Sequence, residues 1–348
     1  VVLRAGCEAN ASTGDRVVAG SLLGRAHVAG LDYRINAPHD RRERDGRIEW
    51  LAPPGEYLVK ETIARIRYSA DDLREVSMIS DYPVRQPRPV LRRLRANRPL
   101  FTGKRAIDSS MVLLEGGKFL VIGGAGTGKT WFTQDLAKYS DVDLVVLVLC
   151  GERSGEATEV VINYQKMGLM DRTVVILNTS AQSAQARGQS VRFGAAVCEG
   201  LRDMGMNVLM IVDSLSRQGQ GDRETAGMMG KMPGKQSFPV DMPSVMAATF
   251  ERCGRATCLG GFDASITGVL AVPPPRARTP TAPSSPPTRL PTAATTRPWV
   301  LGRACPPARP RAWSAGTTCA VSLTSATSRT GLNWVITSPR WWPIPKDR

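Results

Sequence analysis

The sequence predicts an α/β protein in which a parallel sheet is covered by helices on both faces, preceded by a small all-β module and followed by an irregular tail. Three changes of texture along the chain point to this. Between about residues 101 and 272, the apolar runs KFLVIG, DLVVLVLC, TVVIL and NVLMIVD alternate with the helical stretches GKTWFTQDLAKYS and QSVRFGAAVCEGLRDMG. Unbroken apolar strands separated by helices are the signature of a sheet buried on both sides.

Residues 1–80 read differently. Short β-branched runs are broken by Gly, Asp and Pro, as in GDRVVAGSLLG and GRIEWLAPPGEYLVKETIARI. Glycines at such breaks supply the positive φ that tight turns need, so this part is expected to be an edge-rich barrel or sandwich. Residues 81–100, DYPVRQPRPVLRRLRANRPL, form a Pro and Arg connector whose prolines prevent a regular helix. Residues 273–348 hold 15 of the 25 prolines and 5 of the 7 tryptophans without any sustained period. Such a segment buries too little to offset its ordering entropy and is expected to be irregular.

At 348 residues the chain is long enough for a full core and a second domain. It starts at Val1 rather than at a methionine, which reads as a fragment. Its longest apolar runs, such as Leu144 to Cys150, fall far short of the roughly 18 residues a membrane span requires, and no charged-then-apolar leader precedes them. A soluble, non-secreted chain is expected. The seven cysteines are odd in number and scattered, and Cys253 and Cys258 lack further ligands at metal spacing. A reduced cytosolic setting fits this usage better than disulfides or zinc. Of the net charge of +15, ten units lie beyond Val272, leaving +5 for the body of the chain. That distribution argues against a nucleic-acid footprint and against a helicase.

The chemistry concentrates in VIGGAGTGKTW. Gly123 to Thr130 matches G-x-x-x-x-G-K-[ST], with an apolar strand before it and a helical run after. Gly126 and Gly128 allow successive backbone N–H groups to face phosphate oxygens, and the following helix adds its positive end. Lys129 would neutralise β and γ oxygens, and the Thr130 hydroxyl would hold Mg²⁺. The ion needs a carboxylate as well, and the strand NVLMIVD offers Asp213. A third element is VLCGERSGE: parallel sheets place ligands at the C-terminal ends of their strands, so Glu152 and Arg153 would face the nucleotide. There Glu152 could polarise a water and Arg153 could meet γ-phosphate charge, or the two could simply form a solvated loop pair.

Taken in order, PVRQPRPVLRRLRANRPLFTGKRAID, the glycine loop, DLAKYSDVDLVVLVLCGERSGEATEV, MDRTVVILNTS, RDMGMNVLMIVDSLSR and RCGRA resemble the catalytic A subunit of V-type and A-type rotary ATPases. The resemblance runs from about residue 15 to about residue 272. It implies a RecA-like P-loop NTPase core, with residues 1–80 as the bulge domain typical of A subunits. It further implies ATP and ADP as ligands, Mg²⁺ as cofactor, and hydrolysis or synthesis of ATP coupled to H⁺ or Na⁺ transport. The family pattern makes Gly123, Gly124, Ala125, Gly126, Thr127, Gly128, Lys129, Thr130 and Trp131 the nucleotide loop. It puts the catalytic residues at Glu152, Arg153 and Lys129, and the metal side at Thr130 and Asp213. Implied partners are a B subunit, which supplies an arginine finger within an A3B3 hexamer, and central stalk subunits. The implied location is the cytoplasm, peripheral to a membrane through the complex.

Departures from the pattern carry their own expectations. Gly123–Gly124–Ala125–Gly126 replaces the usual GPFG, and RQGQGDRE keeps Arg217, Arg223 and Glu224 but has lost the aliphatic middle. Glycine there is expected to weaken the helix, at about 1 kcal/mol against alanine. After Val272 resemblance and texture stop together, as an out-of-frame reading of a GC-rich gene would produce. Alternatives are a nucleotide-binding but inert paralogue or pseudogene product, or a flagellar or type III secretion export ATPase, suggested by DSLSR.

Overall fold

The computed structural model describes residues 4–28, 31–39, 45–79, 81–123, 127–234, 237–272 and 335–337. The N-terminal part is all β, as expected. Its strands are β1 (Arg4–Ala9), β2 (Arg16–Val17), β3 (Leu22–Val28), β4 (Leu31–Asn36), β5 (Gly46–Leu51), β6 (Gly55–Leu58), β7 (Thr62–Arg67) and β8 (Leu73–Ser77). They form two four-stranded sheets, ordered β4-β3-β1-β6 and β2-β5-β7-β8. Alternation turns Val17, Ile48, Ala64, Ile66 and Val76 inward into one small core, while Arg16, Arg47, Arg65 and Arg67 face out.

The connector contributes β9 (Arg92–Leu94), and after it come α1 (Arg105–Ser110), β10 (Lys118–Ile122), α2 (Lys129–Tyr139), β11 (Leu144–Glu152), α3 (Ser154–Lys166) and β12 (Thr173–Thr179). The chain continues through α4 (Ala184–Asp203), β13 (Val208–Asp213), α5 (Leu215–Met228), α6 (Met242–Phe250), β14 (Arg255–Thr257) and β15 (Asp263–Val272). Strands β12, β11, β13, β15 and β10 lie side by side and parallel. Along β11, Val146, Val148 and Cys150 face one core with α4, whereas Val145, Leu147 and Leu149 face another with α2 and α3. Both faces are covered, which is why this strand carries no polar alternation.

Two features depart from the sequence reading. The sheet is mixed, because β14 and the connector strand β9 add an antiparallel edge to β15. In the tail, Val335–Thr337 forms β16, antiparallel to β12; the rest of that segment lies outside the described residues.

The connector is also tied down. The Arg252 guanidinium donates to the carbonyls of Val84 (2.9 Å) and Gln86 (3.3 Å) and to both oxygens of Glu199, while the Arg88 N–H donates to Glu199 Oε2 at 2.7 Å. From the β module, Asn36 donates to the Asp203 carbonyl and His39 Nε2 meets Asp203 Oδ2 at 3.1 Å. Burial alone would raise Asp203, but Arg202 and the His39 hydrogen bond outweigh it and hold the carboxyl at about 2. Glu199 and Arg202 are fully buried, so removing one partner would strand a charge. Arg252→Met is therefore expected to destabilise the fold by about 3–5 kcal/mol. Urea unfolding checks this, and a loss below about 1 kcal/mol would contradict the assignment of Arg252 as the clamp.

Helix α5 runs unbroken through Gly219 and Gly221, and at Gly221 the glycine has a packing role. The reason is its crossing with α4. A Cβ on Gly221 would come within 2.6 Å of the Ala184 carbonyl oxygen and 2.9 Å of the Gly188 nitrogen, both backbone. Next to it Asp222 takes a forked ion pair from Arg192 on α4, at 3.1–3.3 Å. In an open helix Gly→Ala gains about 1 kcal/mol. Gly221→Ala should instead cost about 1–3 kcal/mol by overpacking, read as a lowered Tm; an unchanged or raised Tm would refute the close crossing.

Candidate nucleotide site

The parallel order brings three strand ends to one edge. The glycine loop follows β10, Glu152 ends β11, and Asp213 ends β13. Of the loop, Gly124, Ala125 and Gly126 lie outside the described residues. Gly128 occupies the N-cap of α2 with φ +82, a conformation costly to any residue with a Cβ, and nothing stands within 4 Å of where that Cβ would be. Gly123 is needed for a different reason, since a Cβ there would collide with Thr127 Oγ1. Lys129 and Thr130 open α2, so they stand where its unpaired N–H groups concentrate positive potential. Trp131 is 74% exposed and points away from the cores.

The Thr130 hydroxyl donates to Asp213 Oδ2 at 3.4 Å. Burial raises the Asp213 carboxyl, opposed by the Lys129 charge and the Thr130 hydrogen bond. A hydroxyl and a carboxylate side by side are hard oxygen donors, the chemistry Mg²⁺ selects. Among the described residues no group of three or more His, Cys, Asp or Glu could hold a metal. Thr130 and Asp213 therefore fit an ion that takes its remaining ligands from phosphate and water, as Mg²⁺ does.

Glu152 is half-buried at the end of β11. Its carboxyl is pushed up to about 7, first by burial and then by the Asp213 charge, with Arg217 pulling the other way and Glu156 hydrogen-bonding to it. An acid poised there can accept a proton near neutral pH. Arg153 does not join it: the side chain is 78% exposed and meets Glu156 Oε1 at 3.8 Å across the first turn of α3. Here the solvated-loop alternative describes Arg153 as the structure places it, while Glu152 turns inward. Sequence reasoning did not assign Glu156 to the site, and it named Arg217 only as a position kept from the family pattern. Both stand four positions after a site carboxylate, where a strand turns into a helix and the chain doubles back over the same edge.

Comparison with known proteins identifies the family. The family model described as ATP synthase alpha/beta family, nucleotide-binding domain, matches residues 103–286. The chain belongs to the ATP synthase alpha/beta family. A second family model, for the barrel-sandwich domain of the same family, matches residues 6–85 and so covers the two small β sheets. The nucleotide-binding match of this alpha/beta family continues past Val272, where the sequence texture changes.

Relatives in the family include the catalytic A subunit of the V-type proton ATPase of Cyanidium caldarium, 37% identical over 76% of this chain and 47% of that protein. The V-type ATP synthase alpha chain of Acetivibrio thermocellus is 38% identical over 75% of this chain and 46% of its own length. The A subunit of the A-type ATP synthase of Methanopyrus kandleri is 37% identical over 75% and 45%. The chain thus spans about half the length of the curated relatives it matches. Among solved structures, a prototypical ATPase from the type III secretion system of pathogenic bacteria is 27% identical, covering 61% of this chain and 59% of that one, with a TM-score of 0.49. Among the described residues no helix is long and apolar enough to cross a membrane.

Proposed function

We propose that the chain binds MgATP and catalyses its hydrolysis, or its synthesis in reverse, as the catalytic A-type subunit of a V/A-type rotary ATPase. One observation carries this: Lys129, Thr130, Asp213 and Glu152 converge on one sheet edge from three strand ends. Thr130 and Asp213 would hold Mg²⁺, which would supply neutralisation of phosphate charge there. The chain's own groups do the rest. Backbone N–H groups of Gly128 and the α2 terminus hold the phosphates in place, and Lys129 draws charge from the γ-phosphoryl. Glu152 orients the attacking water and takes its proton at a carboxylate oxygen. Asp213 and Thr130 fix the cation side.

Arg153 faces solvent within this chain, so the second positive charge on the transferring group comes from a neighbouring B subunit's arginine finger. Coupling to H⁺ or Na⁺ movement runs through the stalk and a membrane sector, which makes the protein cytoplasmic and peripheral to the membrane. Coexpression with a B subunit tests the proposal: a ring that hydrolyses ATP supports it, while the isolated chain should be nearly inactive. A ring that binds ATP without turnover would favour the inert paralogue.

A further inference from the structure

The turn that carries Glu152 is irregular. The pairing of β11 with β12 slips between Cys150 and Glu152, leaving Gly151 as a bulge with φ +68. Bulges re-aim the side chain that follows them, and the Glu152 carboxyl beyond this one lies within electrostatic reach of Asp213, Arg217 and Glu156. An unsupported bulge at a strand end would relax.

Two helices press on it. A Cβ at Gly151 would come within 3.1 Å of Arg187 Cδ and 3.2 Å of Arg217 Cβ, so the glycine is sandwiched between two arginine stems. Arg187 lies near the start of α4, and its own stem is wedged in turn against Gly221, where a Cβ would meet Arg187 Cβ at 3.1 Å. Its backbone carbonyl accepts from Ser190 Oγ at 2.8 Å and from Cys150 Sγ at 3.3 Å, the residue just before the bulge. The guanidinium reaches away from this layer to Glu224 Oε2 at 2.6 Å, and Nε is buried with no partner. Contacts at Gly151 and Gly221 and the Glu224 ion pair hold the side chain in this place.

We propose that Arg187 is a positioning residue for Glu152, its methylene stem and carbonyl bracing the Gly151 bulge so that the carboxylate leaves β11 toward the phosphate-binding edge. The inference rests on the role of Glu152 given above. It assigns the work to the stem, with the guanidinium acting only as an anchor on Glu224.

The test compares Arg187→Ala, Arg187→Met and Glu224→Gln in the full chain, alone and assembled with a B subunit. Three readouts are taken: the Kd of a fluorescent ATP analogue, single-turnover hydrolysis in the assembly, and amide hydrogen exchange across residues 150–153. In Arg187→Ala, hydrolysis is expected to fall about 10- to 100-fold while Kd changes less than about 2-fold, because a misplaced base loses rate and not binding. Exchange over the bulge should quicken by about 10-fold. Arg187→Met keeps the stem and should return both readouts to within about 3-fold of the parent; Glu224→Gln should leave them there.

Parent-like hydrolysis and exchange in Arg187→Ala would overturn the proposal. So would a methionine variant as impaired as the alanine one, since the charge would then be the active part. If Arg187→Ala does not fold, the methionine and Glu224→Gln variants still decide, because both must match the parent. A parent assembly that binds ATP but never hydrolyses it defeats the assigned function, and the exchange measurement then judges the bracing of Gly151 by itself.

Discussion

Lys129→Ala is expected to lower ATP affinity at least about 100-fold and to leave no measurable hydrolysis. The pocket explains the size. Asp213, Glu152 and Glu156 gather on one side, close enough that each carboxylate raises or is raised by a neighbour, and Lys129 is the charge that opposes the Asp213 shift. Without it, Arg217 would be left to offset Asp213, Glu152 and Glu156 beside a triphosphate. Titration of a fluorescent ATP analogue against parent and variant reads this directly. Affinity retained within about 5-fold would mean that the phosphates sit elsewhere.

Glu152→Gln should separate binding from chemistry. The amide keeps the shape of the carboxylate but cannot take a proton, so turnover in the assembled ring should drop about 10²- to 10⁴-fold with ATP affinity retained. The parent's pH dependence follows from the same group. Burial, then Asp213, hold Glu152 at about 7, so it is ionised above that value and protonated below. In the proposed role of base it works ionised, so activity should fall as the pH drops below about 7. Stability moves the opposite way. The folded pKa lies above the unfolded one, so the folded state binds the extra proton, and this contribution is fully present at acid pH and is lost as the pH rises through about 7. The glutamine variant should lose both dependences; an unchanged activity profile would show that another group titrates.

Much of the core was legible because β11 and β13 are buried on both sides and carry nearly unbroken apolar runs. Asp213 and the Gly-Lys-Thr run could be read for the same reason, since each interrupts such a strand at its end. Helix α5 was not legible as a firm helix. Its glycines count against it in any single-helix ledger, and only the neighbouring backbone of α4 turns Gly221 into a fit. Strand β9 was hidden by its setting among prolines and arginines, because its partner β14 lies far along the chain. Arg153 shows how abruptly a strand end changes character: Glu152 closes β11 half-buried, while the next residue already caps α3 and faces solvent.

A proline-rich stretch between two folded parts ordinarily acts as a semi-rigid spacer whose backbone groups answer only to water. Here Val84 and Gln86 are gripped through their carbonyls by Arg252, whose other face is locked to Glu199. Pulling on the β module would load that guanidinium rather than flex the connector. Mechanically the stretch is a strut that links the small sheets to α4 through Arg252 and Glu199.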